Sequence, residues 1–171
     1  MRDRSTPLGV IGRGLVAGAI GTAALTAYQT AAAVRRGESL KDTVAPEPPA
    51  SWEEAPASAQ VGYRFLRGVF QRDASPEKAP AMTNAVHWAY GTAWGAVYAV
   101  LDESVDGSAL LKAPAFGSLV FANAYVALPA MKLYDPPWEY SARTLATDWS
   151  YHVIYGGAVA LAYRLVRATR S

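Results

Sequence analysis

The chain has 171 residues, 51% of them apolar, and a net charge of only +2. It contains no cysteine, which excludes disulfides, thiolate zinc sites, cysteine-ligated iron–sulfur clusters and thiol nucleophiles. The cations sit at segment ends rather than along one continuous face, so nucleic acid is not an expected partner.

Charge is distributed unevenly along the chain. Of the 16 basic and 14 acidic residues, only Asp148 lies inside the windows 14–34, 82–101, 113–131 and 145–163, which are 21, 20, 19 and 19 residues long. A hydrocarbon core about 30 Å thick, crossed at roughly 1.5 Å per residue, needs about 20 apolar residues, so each window is expected to span a bilayer. A buried helix of a soluble all-α protein can also be apolar all round and is the competing reading. The expected fold is therefore all-α: a four-helix transmembrane bundle forming a single membrane domain over residues 1–171.

The first window is rich in Ala, Gly and Thr, which gain little on transfer to lipid, so packing against neighbours must help to hold it. Arg2 and Arg4 precede it and Ala31, Ala32 and Ala33 end it, as in a secretory signal. Its uncharged length exceeds the usual signal core and further windows follow, so a retained first helix is expected. Arg35 and Arg36 mark the water boundary, and the one extended loop, 37–81, follows. Repeated prolines between Pro46 and Pro56 forbid regular helix there. From Ser58 to Arg72, Val61, Phe65, Leu66, Val69 and Phe70 recur at helical spacing, while Arg64, Arg67 and Arg72 project elsewhere. That pattern reads as a short interfacial helix, serving either as a cap on the bundle or as a lipid or partner site.

The second and third windows are joined by a short acidic turn, as antiparallel neighbours require. In the third, Pro114 is expected in the first turn and Pro129 is expected to kink or end the helix near Leu128.

The fourth window repeats the second. Aligning His87 with His152 brings Tyr90 onto Tyr155, Gly91 onto Gly156, Ala93 onto Ala158 and Tyr98 onto Tyr163, five identities in twelve positions. The preceding loops match as well: Pro48, Pro49, Trp52 and Glu53 against Pro136, Pro137, Trp138 and Glu139. The chain reads as two tandem helical hairpins, about 8–103 and 109–168, related by a pseudo-two-fold axis along the membrane normal. The tryptophans are expected as interfacial anchors, with Trp88, Tyr134 and Tyr140 in the same belt.

At about 100° per residue, offsets of 0, 3, 4 and 11 from each histidine fall near 0°, 300°, 40° and 20°, one narrow face. Asn84, near 60°, and Asp148, near 320°, extend it. Two polar stripes result: Asn84, His87, Tyr90 and Tyr98 on one helix, Asp148, His152, Tyr155 and Tyr163 on the other. An Asp facing lipid at a helix centre costs about 2.5–3.5 kcal/mol, so the stripes should turn inward, toward each other or toward Asn123 and Tyr125. Gly14 with Gly18, and Gly91 with Gly95, make small surfaces for close helix approach, and Gly156 matches Gly91.

Asp148 and His152, four residues apart, could share a hydrogen bond. Three functional readings remain open. The leading one is a structural or partner-binding membrane module, in which the stripe is interhelical glue and no cofactor is involved. The second is a proton- or ion-linked protein, for pH sensing, acid tolerance or transport, since histidine titrates near neutrality. The third is a bis-histidine metal or haem site. Hydrolytic chemistry has little support, because Ser150 lies on another face from His152 and no nucleophile elbow is present. The lipid bilayer is the expected partner, with a homo-oligomer or another membrane protein as further possibilities. Seven basic residues lie on the side of the termini and nine on the other, four of those in the later part of the long loop. Long loops weigh less, so the compact cluster Arg2, Arg4, Arg13, Arg164, Arg167 and Arg170 places both termini in the cytoplasm.

The segments HWAYGTAWGAVYAVLDE and LPAMKLYDPPWEYSARTLATDWSYHVIYG resemble the YagU-like family of bacterial inner-membrane proteins. The resemblance covers the C-terminal half well and the first helix loosely. It implies a small multi-pass inner-membrane protein of undefined biochemical activity with a loose association with acid tolerance, and it transfers no catalytic residue.

Overall fold

The computed structural model describes residues 6–168. Arg2, Arg4 and Arg170, which weigh in the orientation argument, lie outside them. The described residues form six α-helices and no strand: α1 (Pro7–Arg35), α2 (Leu40–Val44), α3 (Ala57–Phe70), α4 (Ala79–Ser104), α5 (Ala109–Ala130) and α6 (Ala142–Ala168). Single 3-10 turns at Pro76–Lys78 and Pro137–Glu139 lead into α4 and toward α6.

Helix ends follow local chemistry. Thr6 caps α1 by accepting from Gly9 N, with Pro7 at the first helical position, where no N–H is needed. Ser108 caps α5 in the same way through Leu110 N. Two proline expectations shift. Pro114 lies a full turn inside α5, because the helix starts at Ala109, and Pro129 is accommodated within its last turn, which closes at Met131.

The four long helices run up, down, up and down, and α1 is the pivot, packed against both α4 and α6. The α1–α4 seam is made of glycine. A Cβ built on Gly14 would stand 2.6 Å from Gly95 O, and one on Gly18 2.6 Å from Thr92 O. The α5–α6 seam repeats the device, with Gly117 against the His152 backbone and Gly156 against Ala113 O. By contrast, α4 and α5 are held apart by rings: Phe116 meets Trp94 at 5.9 Å and Tyr98 at 5.0 Å between centroids. The two hairpins thus use the same glycine logic within themselves, but α1 lies close on α6 whereas α4 stands off from α5.

Two helices, α1 and α5, are long and apolar enough to cross a membrane, with mean hydropathies of 1.6 and 1.3 in their most apolar stretches. The expected four reduces to two by that measure. Helices α4 and α6 have the length, but their His, Asp, Tyr and Trp side chains lower the hydropathy. Large apolar side chains lie on the outside of all four: Leu15, Val16 and Ile20, Val97 and Val100, Leu119 and Val126, Leu161 and Leu165 are exposed.

The expected short helix in the long loop is α3. It packs on the start of α4, where Gly62 leaves room for Met82 and Val86, and it leaves Phe65, Val69 and Phe70 exposed. Arg64 donates to Met131 O at 2.6 Å, which ties α3 to the α5–α6 loop.

Candidate functional site

The glycine seams bring α1, α4 and α6 close enough for their polar side chains to share one space. Thr22, Gln29, His87, Tyr90, Tyr151, His152 and Tyr155 line a partly open cavity of about 180 Å3, completed by Leu25, Gly91 and Val120. Both histidines of the duplicated motif therefore face the same interior volume. It lies in the loop-proximal half of the bundle: His87 is eight residues and Tyr151 nine residues from the starts of α4 and α6, about 12–14 Å along the axis.

Hydrogen bonds set the tautomers. The Thr26 hydroxyl donates to Thr22 O at 2.9 Å and also lies 3.1 Å from His87 Nε2. A hydroxyl carries one proton, so His87 serves Thr26 as an Nε2–H donor. His152 Nδ1 lies 2.8 Å from the Asp148 carbonyl, which can only accept, so Nδ1 carries a proton and Nε2 is left as the position where a second proton would add. This corrects the expected carboxylate–imidazole bond. The Asp148 carboxylate is 4.0 Å from Nδ1, an ion-pair distance and not a hydrogen bond, because the backbone carbonyl of the same residue takes the proton. Phe121 abuts the His152 ring edge-on, and the carboxylate faces Tyr125 and Tyr134. Tyr134, in the α5–α6 loop, has its hydroxyl pushed up by burial, with Asp148 and Tyr140 adding to the effect.

The matched tyrosines play different parts. Tyr155 is buried, and its hydroxyl donates to Gly91 O at 2.5 Å across α6 and α4. Tyr90 accepts from Asn123 Nδ2 at 2.8 Å and bridges the wide α4–α5 seam. Tyr98 and Tyr163, expected on the same stripe, form a separate layer two turns deeper, fully buried and in edge contact at 6.0 Å. With Phe116 and Val159 they close the cavity floor. Asn84 is exposed on α4 and does not line the cavity.

At the mouth, Tyr151 meets Tyr28 edge-on, and its hydroxyl accepts from Arg36 Nη1 at 3.5 Å, Arg36 being paired in turn with Glu38. The paired loops diverge. Trp138 is 81% exposed, but Trp52 stacks on Tyr63 at 4.0 Å and donates to Ala74 O, so it pins the Pro-rich loop to α3 and is not a free anchor. Glu53 and Glu139 are exposed, and neither lines the cavity.

The sequence reading missed an ionic cluster at the opposite end. Lys112 pairs with Asp102 at 3.0 Å, Arg167 with Glu103 at 3.1 Å, and the Tyr163 hydroxyl donates to Glu103. Arg13 lies beside Tyr163 with Nε and Nη2 buried and without a hydrogen-bond partner among the described residues. The signal was the run Asp102-Glu103 facing Lys112 and Arg167 at matching helix ends.

These features define an all-α bundle with a closed floor, a polar cavity at the loop end and an ionic cluster at the terminal end. No family model matches the chain. No curated protein and no solved structure matches it either. Among the described residues no group of three or more His, Asp or Glu side chains gathers to hold a metal ion.

Proposed function

We propose that the protein is a four-span bacterial inner-membrane protein, with both termini in the cytoplasm, that senses proton concentration through His87 and His152. The observation carrying this reading is that the two histidines, on helices with matching sequences, line one solvent-sized cavity instead of a dry seam. At about 30 Å3 per molecule the volume suits roughly six waters, and it is far smaller than a haem. The lipid-facing assignment is supported by the exposed Leu, Ile and Val on every long helix. The interfacial assignment is supported by the apolar face of α3 and by Trp138, both at the loop end.

With cytoplasmic termini the cavity opens toward the periplasm, whose pH follows the medium. Sensing is favoured over conduction because Tyr98, Phe116, Val159 and Tyr163 fill the space beneath the histidines. Protonating both rings would place two cations across a volume whose described lining carries no carboxylate, with Asp148 4.0 Å from His152 Nδ1, the Arg36–Glu38 pair at the mouth and Gln29 and three tyrosines as neutral neighbours. Their repulsion favours a wider cavity, a movement that the α1–α4 and α1–α6 seams must absorb. The YagU-like resemblance, with its association with acid tolerance, agrees with this reading.

Hydrogen exchange of the protein in nanodiscs, recorded between pH 8 and pH 5, tests it. Exchange around the cavity in α1 and α6 is expected to rise as the pH falls, and the double variant His87→Gln/His152→Gln should abolish the rise. An unchanged pH profile in the double variant removes the sensing assignment and returns the bundle to a structural or partner-binding role.

A further inference from the structure

The wide seam between α4 and α5 carries a second site, distant from the histidines. Because Trp94, Tyr98 and Phe116 hold the helices apart, an apolar groove of about 200 Å3 runs along them. Its walls include Leu101, Val105 and Leu119, all exposed, so the groove opens outward from the bundle. From Leu119 to Lys112 it covers about two helical turns, roughly 10 Å. At the terminal end it runs into a second, polar cavity of about 480 Å3, and Asp102, Val105 and Lys112 line both.

The polar cavity is lined by three cations, Lys112, Arg164 and Arg167, and by two carboxylates, Asp102 and Asp106, with Glu103 beside it as the partner of Arg167. Lys112 and Arg167 have acidic partners, whereas Arg164 is exposed and has no ion pair among the described residues. The N-terminal turn of α5 adds the positive end of a 22-residue helix at Ala109. An apolar channel two turns long ending in a cationic chamber, at the depth where the uncharged stretches of α4 and α5 stop, has the shape and charge order of a phospholipid.

We propose that this seam binds one anionic phospholipid, with an acyl chain along α4 and α5 and the headgroup phosphate held by Arg164 and Arg167. The inference rests on the membrane reading above and is independent of the histidine cavity. A soluble anion would leave the groove unused, and a zwitterionic headgroup would bring its own cation toward Arg164, which has no ion pair among the described residues. Basic recesses between helix ends on the cytoplasmic side are suited to such headgroups.

Native mass spectrometry of the full chain released from mild detergent, with phosphatidylglycerol, phosphatidylcholine or inorganic phosphate added, tests the proposal. The expected result is one phosphatidylglycerol retained in preference to phosphatidylcholine, with binding weakened about fivefold by each of Arg164→Gln and Arg167→Gln. Ala115→Phe, which fills the groove, should reduce retention of both lipids. The two arginines are exposed, so their variants keep the test valid even if Ala115→Phe fails to fold. Equal retention of the two lipids by the native chain, or unchanged phosphatidylglycerol binding in the double arginine variant, overturns the site. Displacement of lipid by inorganic phosphate alone would overturn the acyl-chain half and reassign the chamber to a soluble anion. If the protein instead remains monodisperse in buffer without detergent, it is the membrane reading that fails, an outcome read before any lipid is added.

Discussion

Replacing Gly91 by alanine tests the close seam between α1 and α4 most directly. A Cβ there would be driven into the Thr22 hydroxyl, with Thr22 Cβ 3.2 Å and Cγ2 3.4 Å away. Thr22 is 1% exposed and its hydroxyl is fixed by donating to Gly18 O at 2.8 Å, so it has little freedom to retreat. Overpacking of this kind costs about 1–3 kcal/mol, and the helical preference of alanine over glycine returns roughly 0.5–1, which leaves Gly91→Ala destabilising by about 1–2 kcal/mol. Thr22→Ala alone should cost about 1 kcal/mol, since the Gly18 carbonyl keeps its helical donor. In Gly91→Ala/Thr22→Ala the new methyl occupies the volume left by the hydroxyl, so the pair should be no less stable than Thr22→Ala, a coupling of about 1–2 kcal/mol. Gly95→Ala is the contrasting case. Its Cβ would strike the backbone of Gly18 and Gly14, which no side-chain truncation relieves, so about 3 kcal/mol or more is expected with no rescue by Thr22→Ala. Gly157→Ala, where nothing lies within 4 Å, serves as the unhindered control and should gain only the roughly 0.5–1 kcal/mol of helical preference. Denaturant or thermal unfolding in detergent micelles, followed by circular dichroism, reads all five proteins. The reasoning is refuted if Thr22→Ala fails to relieve Gly91→Ala, or if Gly95→Ala is as mild as Gly157→Ala.

Three further outcomes follow from the geometry. Asp102→Asn should cost about 2 kcal/mol in the same unfolding assay, because it leaves the largely buried Lys112 ammonium with neutral acceptors only, the backbone carbonyl and the amide oxygen at position 102, and no paired charge. Asp73 accepts from the Tyr63 hydroxyl and from Ala74 N, and both hold its carboxyl below the usual carboxylate range. A depressed folded pKa contributes stability that is present above the unfolded value, about 4, and is lost as pH falls through the folded one. Limited proteolysis of the loop between α2 and α4 should therefore accelerate below about pH 4 in the native chain, and should be equally fast at neutral and acidic pH in Asp73→Asn. Trp52→Ala should likewise loosen that loop, whereas Trp138→Ala should leave unfolding unchanged and alter only quenching by bilayer-embedded probes. Equal effects of the two substitutions would contradict their different environments.

The helical skeleton was legible because its signals are local. Uncharged runs and the helical spacing of Val61, Phe65, Leu66, Val69 and Phe70 act within a few residues. Gly14, Gly18, Gly91 and Gly95 could also be read, since small residues four apart serve close packing in almost any partner arrangement. Which helices meet was not legible: nothing in a periodic pattern says that α1 lies on α6 while aromatic rings wedge α4 from α5. For the same reason the polar stripe was read as one surface, although the fold divides it into a cavity holding His87 and His152 and a dry layer holding Tyr98 and Tyr163. The Asp148–His152 spacing allowed two acceptors, and in the folded helix the carbonyl takes the proton. Charges at helix ends read as boundary markers, which concealed the partnership of Asp102, Glu103, Lys112 and Arg167. The likeness of the two Pro-Pro/Trp-Glu loops misled about Trp52, because the longer loop supplies Tyr63 as a stacking surface and the shorter one has no α3.

The sparse backbone approach of α4 to α5 has a consequence for how the molecule could be divided. Residues 105–108 make the whole connection between the two glycine-sealed hairpins, and the ion pair of Asp102 with Lys112 bridges its ends without help from the chain. Two polypeptides, one ending and the other beginning in that turn, would each retain their own tight seam and would rejoin through the face that α1 offers to α6. Coexpressed fragments should thus reassemble into a single particle, with Tyr155 restoring its bond to Gly91 across the new boundary.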